Sequence, residues 1–129
     1  MPSRDPKDLC ITLQIFWPKL KAWYEAKFPE RRLILTCTHR TVEEQQALFK
    51  MNAKTGKIVT QLDGINKLSK HNYLPALAMD IAVVISGKAE WGVDFYKPLG
   101  GAIGELGFNG KIRWGGWFSF RDFPHFETI

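Results

Sequence analysis

The sequence predicts an α+β domain in which helices flank a small antiparallel sheet. Segments whose apolar residues recur three or four positions apart alternate with short β-rich segments, in the order helix, strand, helix, loop, strand, helix, strands. The chain has 129 residues, 45% of them hydrophobic, with no internal repeat and no Ser/Gly linker. A chain of this size can bury one core, so we expect a single domain over residues 1–129.

The first predicted helix covers residues 7–27, where apolar residues follow the helical spacing at Leu9, Leu13, Phe16, Trp17, Leu20, Trp23 and Tyr24. Pro18 either kinks this helix or begins its second half. The β-rich run at 33–38 predicts a strand. The string Thr41-Val42-Glu43-Glu44 then predicts a capped helix running to about Met51, which places His39 and Arg40 at a junction between strand and helix.

The second half of the chain begins with a polar segment, residues 52–70, which predicts a long exposed loop. The apolar run 77–85 predicts a central strand, residues 93–106 a helix, and residues 111–129 two short strands. The glycines in and after the helix favour a closely packed small face, at Gly100, Gly101, Gly104 and Gly107. The aromatic residues of the last segment are expected to line the core and a groove.

Charge and cysteine usage limit the function only coarsely. The formal net charge of +5 predicts attraction to polyanions, which include nucleic acid, anionic lipid and the bacterial cell wall. No apolar stretch is long enough to span a bilayer, and the first residues do not resemble a signal peptide, so we expect synthesis in the cytoplasm without stable membrane association. Cys10 and Cys37 stand among apolar residues and are interpreted as small buried hydrophobic side chains.

Asp80 is the most informative position, because it is a single carboxylate inside an apolar strand. A buried carboxylate is costly unless it is paired or bound to a metal. His71 precedes it by nine residues and His125 follows in the last segment. Two histidines and one carboxylate are a sufficient ligand set for a catalytic zinc, which makes a water molecule nucleophilic at neutral pH. The competing interpretation is that Asp80 lies at a sheet edge or forms an ion pair with an arginine such as Arg40.

A zinc hydrolase also needs a carboxylate that takes a proton, and the spacing leaves two candidates. Glu127 shares a strand face with His125, whereas Asp122 reaches the same place only if the chain bends between them. Pro124 makes such a bend compatible with the sequence. Spacing alone therefore favours neither carboxylate.

Three separated motifs resemble one known family. They are S-K-H-N-Y-L-P-A-L-A-M-D at 69–80, W-G-G-W-F-S-F-R-D-F-P-H-F-E at 114–127 and T-C-T-H-R-T-V-E-E-Q-Q-A-L-F at 36–49, with S-R-D-P-K-D-L at 3–9 ahead of them. In this order they resemble the zinc peptidases that include D-Ala-D-Ala carboxypeptidases and L-alanyl-D-glutamate endopeptidases, many of whose short members are phage endolysins. The resemblance implies the zinc fold that this family shares with Hedgehog signalling domains.

The resemblance also implies roles for individual residues. His71, Asp80 and His125 would bind zinc, and Asp122 would be the catalytic base. Arg40 would bind and polarise the substrate, with Ser69 and Gln45 as further pocket residues. Glu127 would then hold the geometry of its neighbours, and His39 has no role. One departure is the spacing from His71 to Asp80, where eight intervening residues replace the usual six and put the shape of the nearby pocket in doubt.

The resemblance therefore implies a zinc-dependent peptidase acting as a monomer on the stem peptides of bacterial peptidoglycan, with cleavage between L-Ala and D-Glu preferred. The alternatives are a D-Ala-D-Ala carboxypeptidase or dipeptidase, and a non-catalytic module that keeps the zinc. A basic nucleic-acid-binding protein is a third alternative, suggested by charge and aromatic content alone; we expect no nucleic-acid partner.

Overall fold

The computed structural model describes residues 2–55 and 68–129. Within these ranges the helices and strands follow in the order α1 (Ile11–Lys27), β1 (Arg31–Cys37), α2 (Val42–Thr55), β2 (Ala78–Ile85), β3 (Lys88–Glu90), α3 (Val93–Glu105), β4 (Ile112–Trp114) and β5 (His125–Thr128). Short 3-10 turns lie at Pro6–Asp8, Lys70–Asn72 and Gly115–Trp117. The predicted α+β class is confirmed. None of the described helices is long and apolar enough to cross a bilayer.

The strands form one antiparallel sheet with β2 at its centre. The order is β1-β2-β5-β4, and β3 pairs with the last residues of β2. This central position explains the nearly continuous apolar run of β2. The register places Cys37 of β1 and His125 of β5 opposite Asp80 of β2. Three side chains with ligand chemistry therefore lie in one row across the sheet.

The core lies between one face of the sheet and helices α1 and α3. Helix α1 buries Leu13, Phe16, Leu20 and Tyr24, at the predicted helical spacing. The ring of Phe16 contacts Phe108 and Phe126, with centroids 4.9 and 5.5 Å away. Because side chains alternate along a strand, His125 and Glu127 on either side of Phe126 point to the opposite face. That face carries the polar cluster.

Helix α1 begins at Ile11, not at residue 7. Leu9 forms a bridge with Ala76, and the Cys10 N–H donates to the Ala76 carbonyl at 2.9 Å, so the chain here is extended. Pro18 lies inside α1, which continues past it. The first residues are thereby held beside the segment that leads from His71 to the central strand.

Helix α2 begins as predicted and ends later. The Thr41 hydroxyl accepts the Glu44 N–H at 3.1 Å, and the Glu44 carboxylate accepts the Thr41 N–H at 2.8 Å. The helix continues to Thr55, so residues 52–55 of the predicted loop are helical. Residues 56–67 of that loop lie outside the described part of the chain.

Two further expectations, the number of strands and the small packed face of α3, differ from the structure at glycine-containing turns. Ser86 and Gly87 both have positive φ and form a tight turn into β3, a strand that was not predicted. In α3, Gly100 packs against Trp114, but Gly101 faces open space. Gly107 lies beyond the end of the helix with φ +83°, so it terminates α3 and does not belong to a packed face.

Candidate metal centre

Three elements bring the sequence-predicted ligands together. His71 lies in the 3-10 turn that Ser69 caps, since the Ser69 hydroxyl accepts the His71 N–H at 3.2 Å. Asp80 lies on the central strand and His125 begins the strand beside it. His71 Nε2 and His125 Nδ1 lie 3.2 and 2.9 Å from one atom, Asp80 Oδ1. Side chains 54 positions apart in sequence thus converge on one carboxylate oxygen.

The other nitrogen of each imidazole ring is already occupied. His71 Nδ1 lies 2.7 Å from the Thr38 carbonyl oxygen, which can only accept a hydrogen bond, so Nδ1 is assigned the proton. His125 Nε2 lies 2.9 Å from Glu127 Oε1 and donates to it in the same way. In neutral rings, the nitrogens that face Asp80 therefore present lone pairs. Three acceptors this close together require a cation or protons among them.

This donor set fits zinc. His71 Nε2 is buried and has no hydrogen-bond partner, although it lies beside the carboxylate. Zinc binds imidazole nitrogen and carboxylate oxygen, and metal-bound histidines donate their second N–H to a carbonyl or carboxylate, as both rings do here. In the described ranges, candidate ligand atoms within 4.8 Å of one another form two groups, Cys37–His71–Asp80 and Asp80–Asp122–His125. Asp80 belongs to both.

The pKa values of the cluster show the same demand for positive charge. Burial lowers the pKa of His71, but the Asp80 carboxylate outweighs burial and raises this pKa to about 10. Burial likewise opposes the hydrogen bonds of His125 to Asp80 and Glu127, which raise its pKa to about 9. For Asp80 itself, burial raises the pKa, yet the two histidines hold it well below its usual range. Without metal, two protons therefore supply the charge that one divalent ion would bring.

The two carboxylates near His125 occupy different places. Asp122 Oδ2 lies 3.9 Å from His125 Nδ1, the ring nitrogen that faces Asp80, and its side chain is 49% exposed. Burial and the charge of Asp80 raise the pKa of Asp122. Glu127 instead binds the far side of the ring, at Nε2. Although burial raises the Glu127 pKa, hydrogen bonds from His125 and Arg113 lower it to about 2. Asp122 is thus on the ligand side of the ring and Glu127 behind it.

Arg40 borders the same cluster. Its Nη2 lies 3.6 Å from Asp80 Oδ2, and its Nη1 donates to Gln45 Oε1 at 2.7 Å. Gln45 is fully buried and does not line the cavity, so it supports Arg40 from behind. Ser69 lines the cavity while it caps the turn of His71. His39 is half-buried, and its backbone carbonyl accepts the Ser3 N–H.

Cys37 was predicted to be a small buried side chain, and it is buried, but it lies beside this site. Its Sγ is 3.5 Å from His71 Nδ1 and 3.6 Å from Arg40 Nη2. Simple alternation after Leu33 and Leu35 puts Cys37 on the core face. A register shift between Leu35 and Cys37 places it opposite Asp80 instead. Neither residue type nor spacing in the sequence signals this shift.

The other cysteine differs from the expectation of burial. Cys10 is only half-buried, and both cysteines are free thiols. Cys10 lies just before α1, in the extended segment that is hydrogen-bonded to Ala76, and one side of its side chain is outside the core.

A cavity of about 670 Å³ opens over the cluster. Its walls are formed by apolar side chains, two cationic ones and the candidate site residues: Leu48, Leu68, Phe118, Phe120, Arg40, Lys70, Ser69, Ser119, His71, Asp80, Asp122, His125 and Glu127. A second cavity, of about 520 Å³, shares Arg40, Leu48 and Asp80 with the first. It continues between β1, α2 and the first residues, past Thr36, Ala47, Met51 and Pro2. Arg40, Leu48 and Asp80 thus form part of the wall of both cavities.

The longer connection from His71 to Asp80 does not enter either cavity. Tyr73 and Leu74 are 45% and 66% exposed, and Ala76 pairs with the first residues of the chain. No residue between His71 and Asp80 lines the two cavities. The longer connection therefore extends outward at Tyr73 and Leu74 and does not form part of either cavity wall.

Known proteins share both sequence and fold with this chain. It is 32% identical over 105 residues to the peptidoglycan L-alanyl-D-glutamate endopeptidase CwlK of Bacillus subtilis (strain 168), a match that covers 75% of this chain and 60% of that relative. The chain thus spans less than two thirds of the curated relative. No protein-family model matches it.

Two solved structures resemble the whole chain. One is the L-Ala D-Glu endopeptidase ChiX of Serratia marcescens, with a TM-score of 0.60, 15% identity, and coverage of 100% of this chain and 89% of that one. The other is a mutant of the vancomycin resistance D,D-pentapeptidase VanY in complex with Zn(II), with a TM-score of 0.56, 16% identity, and coverage of 100% and 77%. The fold is therefore one that occurs in both of these peptidases.

Proposed function

We propose that this chain, which is 32% identical to an L-alanyl-D-glutamate endopeptidase over 75% of its length and shares the fold of two peptidases, is a member of the family of zinc D,D-peptidases and L-alanyl-D-glutamate endopeptidases and a zinc-dependent peptidase that cleaves stem peptides of bacterial peptidoglycan. The observation that carries this proposal is the convergence of His71 Nε2 and His125 Nδ1 on Asp80 Oδ1 beside an open cavity. Catalytic zinc sites use three protein ligands and keep one position open, whereas structural sites are closed by four. The arrangement therefore favours an enzyme over a non-catalytic zinc module.

In the proposed mechanism His71, Asp80 and His125 hold the metal, and a bound zinc supplies Lewis-acid polarisation of the scissile carbonyl and of water. Asp122 accepts a proton from the attacking water and returns it to the leaving amine. Its half-exposed carboxylate on the ligand side of His125 supports this role. Glu127, behind the ring, fixes the orientation of His125.

Arg40 is proposed to bind the substrate. Its guanidinium lines both cavities and faces Asp80, so it is close to any carbonyl that lies over the metal centre. A fixed cation there stabilises a developing oxyanion or binds a substrate carboxylate. Gln45 holds the guanidinium in place, and Ser69 contributes a hydroxyl at the cavity wall.

The shape of the site favours an endopeptidase. A carboxypeptidase binds a free chain end, and its substrate needs to extend in only one direction from the scissile bond. Here Arg40 and Asp80 line two cavities, of about 670 and 520 Å³, so there is space beside the proposed metal centre in more than one direction. We therefore prefer the L-Ala to D-Glu bond, the bond named for CwlK and ChiX, and keep the D-Ala-D-Ala carboxypeptidase, closer to the D,D-pentapeptidase VanY, as the alternative.

The remaining parts of the proposal concern the setting of the reaction. Residues 1–129 form one peptidase domain that acts as a monomer on the cell wall, without stable membrane association or a nucleic-acid partner. The net charge of +5 supports attraction to an anionic wall.

Metal analysis combined with zymography on cell walls tests the proposal. We expect one zinc per chain, wall-lytic activity that a chelator abolishes, and a chelated protein that stays folded by circular dichroism because the core does not need the metal. His125→Ala should lose both zinc and activity. His39→Ala is the matched control and should keep both. A metal-free protein with full activity on walls would contradict the proposal, and product analysis on defined muropeptides distinguishes the two cleavage sites.

A further inference from the structure

Arg113 is not one of the proposed zinc ligands, but it contacts two side chains, Glu127 and Phe118, that lie beside the proposed ligand His125. We propose that Arg113 is a positioning residue that sets both how tightly the centre retains zinc and how the substrate binds. This inference rests on the proposed function. It concerns the side of His125 that faces away from Asp80, where Glu127 and Phe118 meet the arginine.

The first contact of Arg113 reaches the metal centre through Glu127. Arg113 of β4 is paired with Glu127 of β5 in the sheet, and Arg113 Nη2 donates to Glu127 Oε2 at 2.6 Å. The other oxygen, Oε1, accepts from His125 Nε2 at 2.9 Å. One carboxylate therefore connects the arginine to a proposed ligand. Such outer partners fix the ring orientation and basicity of metal-binding histidines.

The second contact reaches the cavity wall. The guanidinium of Arg113 lies 5.4 Å from the centroid of the Phe118 ring. That ring lines the larger cavity, and its centroid is 5.8 Å from the His125 ring. A planar guanidinium can stack on an aromatic ring while its N–H groups bind a carboxylate. Arg113 thus fixes the carboxylate behind His125 and the aromatic ring beside it.

A lysine cannot replace both contacts. Lys70 already places a point charge 3.3 Å from Glu127 Oε2, and a second ammonium group would add charge there without the planar surface that stacks on Phe118. The charge and the planar shape of Arg113 are therefore separable by substitution. The Arg113 side chain is 49% exposed, whereas that of Glu127 is 11% exposed. Because exposed ion pairs contribute little to folding, we expect substitutions at Arg113 to leave the fold intact.

The test compares Arg113→Ala and Arg113→Lys with Lys111→Ala, an exposed basic residue two positions away. Zinc dissociation is measured as transfer from the loaded protein to a chromophoric chelator, and KM and kcat are measured on a soluble muropeptide. In Arg113→Ala we expect dissociation to be about 10-fold faster and KM to rise several-fold, with an unchanged circular dichroism spectrum. Arg113→Lys should regain zinc retention because the charge returns, while KM stays raised. Lys111→Ala should match the parent.

The possible failures are distinguishable. If the parent binds zinc and cleaves the peptide, but Arg113→Ala retains zinc and binds substrate like the parent, the inference is wrong and the proposed function stands. A change in only one of the two properties would overturn the claim that Arg113 sets both. If Arg113→Lys behaves like the parent in both, the planar contact with Phe118 has no role. A parent that neither binds zinc nor cleaves the peptide would instead overturn the proposed function.

Discussion

Replacing Asp122 by Asn removes a proton acceptor while it hardly changes the shape of the side chain. Asp122 Oδ2 lies 3.9 Å from His125 Nδ1, beyond hydrogen-bond distance, so we expect the zinc content to stay the same. General base catalysis contributes roughly 10²–10⁴-fold. Even the lower end, a loss of about 100-fold in turnover, corresponds to about 2.7 kcal/mol of lost transition-state stabilisation.

Glu127→Gln is the matched variant, since it makes the same chemical change behind the His125 ring. The amide oxygen can still accept from His125 Nε2, but Arg113 loses its anionic partner. Hydrogen bonds to charged groups contribute about 1.5–3 kcal/mol and neutral ones about 0.5–1.5 kcal/mol. A difference of about 1 kcal/mol predicts roughly 5-fold weaker zinc binding, with turnover at saturating zinc within several-fold of the parent.

Zinc content, zinc affinity by chelator competition and the rate of wall lysis, measured for both variants, decide between the carboxylates. Loss of zinc in Asp122→Asn would show that Asp122 is a ligand. An inactive, zinc-loaded Glu127→Gln beside an active Asp122→Asn would reverse the assignment of the base.

Three further outcomes are expected. Arg40→Ala should lower turnover about 100-fold without loss of zinc, in the same assays; an unchanged rate would leave Arg40 as a structural cation. Gly115→Ala should lower both thermal stability and activity, because a Cβ there collides with the Asp122 carbonyl. Gly101→Ala is the control: a Cβ there meets open space, so the free energy of unfolding in denaturant should rise by about 0.5–1 kcal/mol. Zinc affinity should fall as pH decreases below about 10, and more steeply below about 9, because zinc displaces protons from His71 and His125, whose pKa values are about 10 and 9. Calorimetry in buffers of different ionisation enthalpy counts these protons, and a pH-independent affinity would contradict the assignment.

Local chemistry allowed much of the fold to be predicted from the sequence. The spacing of Leu13, Phe16 and Leu20 predicted α1, and the Thr41 to Glu44 pattern predicted the start of α2, because helix periodicity and capping depend on residues only a few positions apart. The isolated carboxylate of Asp80 pointed to a cation site, since an uncompensated charge in a central strand is costly. The resemblance of separated motifs added the proposed ligand set and the proposed family.

The places of Cys37, Asp122 and Glu127 depended on the tertiary structure. Alternation along β1 assigns Cys37 to the core, and only the register shift beside Asp80 moves it to the site. Spacing around His125 favoured neither carboxylate. In the structure, Asp122 lies in the turn before β5, whereas Glu127 lies within β5 opposite Arg113 of β4. Strand register and partner choice arise from contacts between residues far apart in the chain, so no pattern within one segment contains them. The sequence by itself therefore determined most of the helices and strands and the chemistry of the candidate ligands, and the pairing of the strands decided which side chains face one another.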